Sequence, residues 1–280
     1  MTGSILPAEG EHLTNGWEPD APVDDTLKRR AVLVHASWPV AVAGALGRPW
    51  RRTDRWAGAV IGEGDGALVN PVVLTAPVAD ADAAGVVAEI GDLVPRGTTY
   101  FLLSPWLTPD LAPHGLALLG YPPLMLRLPA PRPRADPPGV EVREARDGEA
   151  LAVAERVLVE GYPMPGTPPG SVLAPRLLGG PTRVWVGYVD GEPASVAAAH
   201  QAAGATLVEY VAALPAARGR GAGAAVTWAA TLADPSAPAV LVASDDGRPT
   251  YESMGYLALE RWTAWLRPGA PVPAPGDSVR

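Results

Sequence analysis

Residues 207–225 read LVEYVAALPAARGRGAGAA, an apolar run that turns through glycines into a helix. Such a turn points backbone N–H groups outward, with the positive end of a helix dipole behind them, and suits a pyrophosphate or a similar anion. Arg218 and Arg220 add charge, and glycines at 219, 221 and 223 keep side chains out of an approaching phosphate's way. The competing reading of glycines after a strand is a plain turn, against which the two arginines weigh.

Two nucleotide motifs are tested by the same run. Gly219, Gly221 and Ala224 satisfy G-x-G-x-x-G/A, with Asp245 some twenty residues on. A dinucleotide fold, however, turns almost directly from its strand and opens a series of parallel βαβ units. Here residues 215–218 intervene and a hairpin precedes, which disfavours an NAD-dependent oxidoreductase. A phosphate loop of the Gly-Lys-Ser/Thr type does not occur in the chain.

The run resembles instead the GCN5-related N-acetyltransferases, whose R/Q-x-x-G-x-G/A signature is matched by Arg218, Gly221 and Gly223. The later LVASDDGRPTYESMGY, residues 241–256, is similar to that family's fifth strand, short helix and Tyr-x-x-x-Gly-Tyr ending, and the match covers about 140–267. The resemblance implies an acetyl-CoA site in which two strands, at 206–214 and 239–243, splay apart and leave room for the pantetheine arm. It puts the acyl contacts on Val211, Ala212 and Ala213. The pyrophosphate falls to Arg218, Gly219, Arg220, Gly221, Ala222, Gly223 and Ala224. Ser244, just after the fifth strand, either touches CoA or caps the next helix.

An alkyl amine with a pKa near 10.4 is neutral in only about one molecule in a thousand at pH 7, so its attack on a thioester benefits from a base. By the resemblance that base is Glu209, mid-strand in an otherwise apolar run; an outward-facing residue on a half-exposed strand is the alternative. Tyr251 matches the tyrosine that donates to the leaving thiolate in such enzymes, with simple packing as its alternative. The resemblance implies direct transfer in a ternary complex, the oxyanion met by the amide of Val211 or a neighbour. Acetyl-CoA is then the cosubstrate and the acceptor a primary amine of a small molecule or a peptide. A CoA-binding regulatory protein that has lost turnover is the rival function. The histidines, His12, His35, His114 and His200, show no metal-ligand spacing; His200 either lines the acceptor cleft or is a satisfied core residue.

These residues need a mixed α/β scaffold. In the second half, the pattern predicts strands at 140–143, 183–189 and 193–202, the last two a hairpin around Asp190-Gly191, together with helices at 147–160, 221–233 and 249–254 and a closing strand or hairpin at 256–266. Residues 162–181, rich in proline and glycine, are expected as a surface loop region. The resemblance implies that GYPMPGTPPG, residues 161–170, covers the acceptor, and Tyr162 and Met164 either contact that acceptor or anchor the loop. In the first half, a helix at 24–47 interrupted near Pro39, a strand at 67–75, a helix at 78–93, a strand at 100–104, a helix at 111–119 and a strand at 121–128 alternate β and α. This half looks like a degenerate acetyltransferase unit that lacks the glycine signature. The expected division is a domain at 1–128 without a CoA site, a proline-rich, exposed linker at 129–139, a catalytic domain at 140–267 and a tail at 268–280. Trp50, Trp56 and Trp106 belong either to the junction of the halves or to a core.

Composition fits this reading. The 280 residues are 48% hydrophobic and 19% charged, a globular balance, while 33 prolines and 31 glycines predict many turns and no long uninterrupted helix. A net charge of −8 and a single lysine, Lys28, argue against nucleic acid as a partner. Without cysteine there is no disulfide, thiolate metal site or cysteine nucleophile. The absence of a secretory signal or a membrane-length apolar run points to the cytoplasm, and self-association stays open.

Overall fold

The computed structural model describes residues 26–62, 70–133, 135–162, 164 and 167–269. His12, the start of the expected strand at 67–75 and nearly all of the expected tail lie outside them.

The first element is a helix, α1 (Leu27–Leu46), which runs through Pro39 without a break. Thr26 caps it by accepting from the Arg29 N–H, and Gly47 ends it in the left-handed region at φ 68°. A proline inside a helix costs about 3 kcal/mol. Val32, Val34, Trp38 and Val42 are all buried along this helix, at roughly 1.5–3 kcal/mol for each large side chain, which is enough to keep it continuous.

Six strands form the first sheet, in the order β1-β2-β3-β4-β13-β5. They are β1 (Trp50–Arg52), β2 (Trp56–Ala59), β3 (Pro71–Leu74), β4 (Tyr100–Ser104), β5 (Ala117–Gly120) and β13 (Thr263–Arg267), with α2 (Ala83–Leu93) packed on one face. The helix expected at 111–119 is instead a 3-10 turn at Ala112–His114 followed by β5. Pro113 and a left-handed Gly115, at φ 84°, stop the turn before a second one can form. Trp56 is fully buried in the core of this sheet, whereas Trp50 is half-exposed.

The second sheet has seven strands in the order β12-β6-β11-β10-β9-β8-β7. These are β6 (Pro123–Arg127), β7 (Val140–Glu144), β8 (Thr182–Val189), β9 (Glu192–Ala202), β10 (Ala205–Ala213), β11 (Ala239–Val242) and β12 (Leu257–Arg261). The helices α3 (Gly148–Gly161), α4 (Ala222–Thr231) and α5 (Arg248–Ser253) connect them. The hairpin between β8 and β9 forms on Asp190-Gly191, with φ of 53° and 88°, the conformation that Asp-Gly favours. Both sheets are mixed: β3–β4 and β10–β11 pair in parallel and their other pairs are antiparallel.

The sheets do not follow the division at the proline-rich segment. β6, which precedes it, is inserted between β11 and β12, while β13, from the end of the chain, is inserted between β4 and β5. The expected closing hairpin is thus two consecutive strands in different sheets, turning at Trp262, whose side chain is fully buried and whose N–H donates to Pro122 O at 2.9 Å. All five residues of β6 are buried, which calls for partners on both edges and cover on both faces. One core joins the halves, running from α1 and α3 to Leu103, Trp262 and Ala264. The segment at 129–139 is tied down: Arg132 lies over the Trp228 ring at 5.6 Å and pairs with Asp136.

Candidate active site

β10 and β11 are in register only at Thr206–Ala239 and Leu207–Val240; beyond these pairs the strands separate. On the other side β9 follows β10 to Ala213, but with a bulge between Glu209 and Ala212. Tyr210 takes φ 54° there, a left-handed conformation uncommon for a residue with a side chain. A bulge gives one strand an extra residue and re-aims the side chains beyond it.

A cleft of about 640 Å³ opens where the strands part, lined at one end by Val211, Ala212 and Ala213 and at the other by Arg218, Gly219, Gly221, Gly223 and Ala224. Gly219 and Gly221 have φ of 76° and 86°, a region that disfavours any other residue. A Cβ on Gly219 would meet nothing within 4 Å, whereas one on Gly221 would lie 2.6 Å from Pro137 Cγ. The proline-rich segment therefore rests on the glycine turn. α4 starts at Ala222 directly after it, so the first N–H groups of that helix lack intrahelical acceptors.

Three expected CoA residues do not line the cleft. Arg220 turns to Asp190 at 2.5 Å. Ala222 is buried at the helix start, its carbonyl accepting from Ser195 Oγ at 2.9 Å. Ser244 accepts from the Gly247 N–H at 3.0 Å in the turn before α5, a helix with no side-chain cap, so the serine fills neither expected role. Asp246, Gly247 and Thr250, within the 241–256 stretch that carries the resemblance, line the cleft, as does Thr227, which no motif marks.

Tyr251 also lines the cleft, its ring edge-on to Tyr256 at 6.0 Å between centroids. Burial first, then the charges of Tyr162, Tyr256 and Glu209, raise its phenol above the ordinary range. It keeps its proton and remains a hydrogen-bond donor.

Glu209 lies on the other side of the bulge. Together with Tyr210 it lines a second, smaller cavity of about 40 Å³ between the halves, closed by His35 and Trp38 from α1 and by residues of β3 and β4. Burial pushes its carboxyl up to about 7, partly offset by a hydrogen bond from the Tyr210 N–H. A carboxylate in this range is half ionised near neutral pH and can take a proton from an amine. Tyr162 feels the Glu209 charge, and its phenol is raised by burial and by that charge. Met164 is buried in the core and anchors its loop; residues 163, 165 and 166 lie outside the described residues.

His200 is the core alternative, bonded through both nitrogens to Ser37 and Thr182 at 2.9 Å, and burial lowers it to about 4. Nothing in the spacing of His35 marks it as a site residue. It contacts Ala31 O through Nδ1 at 2.6 Å, stacks at a tilt on Trp262 and is likewise lowered to about 4 by burial. Among the described residues no group of histidines and acids is arranged to hold a metal, and no helix is long and apolar enough to cross a membrane.

Neither a protein-family model nor a curated protein sequence matches the chain. Solved structures do. A GCN5-related N-acetyltransferase from Kribbella flavida is similar over 86% of this chain and 96% of its own, with a TM-score of 0.63 and 21% identity. One from Sphaerobacter thermophilus covers 78% and 79%, with a TM-score of 0.52 and 15% identity. A GCN5-related N-acetyltransferase-like protein from Streptococcus suis covers 85% and 97%, with a TM-score of 0.51 and 14% identity. The likeness is one of fold, and it extends over both sheets.

Proposed function

Starting from this GCN5-related N-acetyltransferase fold, we propose that the protein transfers an acetyl group from acetyl-CoA to a primary amine of a small molecule, in a ternary complex. The observation that carries the reading is the parting of β10 from β11 above a glycine turn whose φ angles only glycine adopts readily.

The cleft suits CoA. The glycine turn and the start of α4 offer N–H groups to a diphosphate, with Arg218 beside them, and the unpaired edge of β10 from Val208 onward offers the backbone partners that a pantetheine amide needs. Bound there, acetyl-CoA supplies an activated thioester.

The chain's own residues divide the remaining work. Glu209 accepts the proton that the amine must lose as its nitrogen bonds to the acetyl carbon. The Val211 N–H, at the bulge, donates to the acyl oxygen while charge collects there, and Tyr251 donates a hydrogen bond to the departing sulfur. No covalent bond to the protein forms. Positioning both partners on one strand supplies most of the acceleration.

Calorimetric titration of the full chain with acetyl-CoA, followed by assay of free thiol release with a panel of amines, tests the proposal. Binding with amine-dependent thiol release is the expected result. Binding without turnover would favour a CoA-binding regulatory protein, and no binding would overturn both readings.

A further inference from the structure

The cavity between the halves has a lining that selects its occupant. Trp38, Pro71, Val72, Val73, Phe101 and Leu103 give it carbon walls, and Glu209 is the sole acidic side chain among its described lining residues. Of the polar atoms on the other described lining residues, His35 Nδ1 contacts Ala31 O at 2.6 Å, while His35 Nε2, Trp38 Nε1 and Tyr210 Oη are buried without a hydrogen-bond partner. Glu209 is the one carboxylate that the described lining residues bring to the cavity. The volume of about 40 Å³ corresponds to roughly three or four water-sized groups. Residues 209 and 210 line this cavity while 211 to 213 line the cleft proposed for CoA, so the two spaces adjoin along β10 at its bulge.

We propose that the acceptor is a short, apolar primary monoamine, whose nitrogen meets Glu209 and whose hydrocarbon end fills the cavity formed by α1, β3, β4 and β10. This rests on the acetyl-transfer reading and deepens it. A polyamine or an aminoglycoside would bring second and third cations to a wall whose described residues hold no further carboxylate, at a desolvation cost. A peptide is too large for a cavity of about 40 Å³. The first half of the chain, without a glycine turn of its own, then sets specificity: three of the four elements around the cavity belong to it.

The test uses the full chain and two readouts. Thiol release from acetyl-CoA is compared for isoamylamine, spermidine, kanamycin and a lysine-containing peptide, at matched concentrations of neutral amine. The expected result is a kcat/KM for isoamylamine at least about tenfold above the others, a margin of about 1.4 kcal/mol. Preference for any of the other three would overturn the proposal and leave acetyl transfer standing. Binding of isoamylamine is measured separately by calorimetry, without CoA. If no amine is acetylated the transfer reading fails, and the acceptor proposal then stands or falls on that binding, its absence overturning it. Phe101→Glu, at a half-buried position, should shift preference toward spermidine while Phe101→Leu retains it. An unchanged preference in a folded Phe101→Glu chain also counts against the cavity.

Discussion

Glu209 and Tyr210 are neighbours in β10, yet both line the same cavity, although successive side chains of a regular strand face opposite sides. The extra residue of the bulge, with Tyr210 at φ 54°, makes this arrangement available. It brings a carboxyl group raised to about 7 alongside the strand segment that lines the cleft between β10 and β11.

Replacement of Glu209 by glutamine should lower the rate about 10²-fold or more, since the amide cannot take a proton. In the unaltered protein the rate should rise with pH through about 7 as Glu209 ionises. Initial rates of thiol release between roughly pH 5.5 and 8.5 check both statements; persistence of the limb near neutrality in Glu209→Gln would remove the residue from the mechanism.

Gly221→Val should weaken CoA binding at least about tenfold, because a left-handed β-branched residue costs on the order of 1–2 kcal/mol and its Cβ would collide with Pro137. Calorimetry with CoA measures it. Gly219→Ala, where a Cβ meets open space within the protein, should separate backbone strain from that collision.

Stability should respond to pH in opposite senses at two places. His35 and His200 fold with pKa values near 4, below the unfolded value, so the folded state disfavours their protonation. Their contribution is complete above about pH 6.5 and declines as pH falls toward 4. Glu209, raised to about 7, acts the other way and lowers stability as pH rises from 4.5 to 7. A displacement of this size is worth about 3 kcal/mol. Thermal melts should accordingly show Glu209→Gln gaining stability at pH 8, with no comparable gain at pH 4, and His200→Gln losing part of the acid dependence.

Glu155 is a structural carboxylate, 4% exposed, that accepts from the N–H groups of Gly170, Val172 and Leu173. It holds the loop after α3. Glu155→Ala leaves three amides without their acceptor and should destabilise the protein by about 3–5 kcal/mol. Denaturant unfolding provides the measurement.

The glycine turn of the cleft between β10 and β11 was legible in the chain because a left-handed backbone admits few residues, and Gly219 and Gly221 adopt one at φ 76° and 86°. The Asp190-Gly191 hairpin and the helix beginning at Asp147 were legible for the same local reason, since Asp147 caps α3 by accepting from the Ala150 N–H at 2.8 Å. The features that escaped were long-range. β6 and β13 are short apolar segments that could serve either sheet, and nothing within them says which edge is open. Pro39 misled because burial along α1 outweighs one missing hydrogen bond. Val72, Val73, Phe101 and Leu103 read as ordinary core; their second role arises where two sheets meet around a carboxylate.

The reciprocal loan of β6 and β13 bears on how this chain can come apart. Severing it near residue 133 would yield a front piece missing one central ladder and a rear piece missing another, each with a raw edge in mid-sheet. Neither fragment should stand alone, but mixed together they should clasp and restore the whole. Melting of the intact protein should then be a single event.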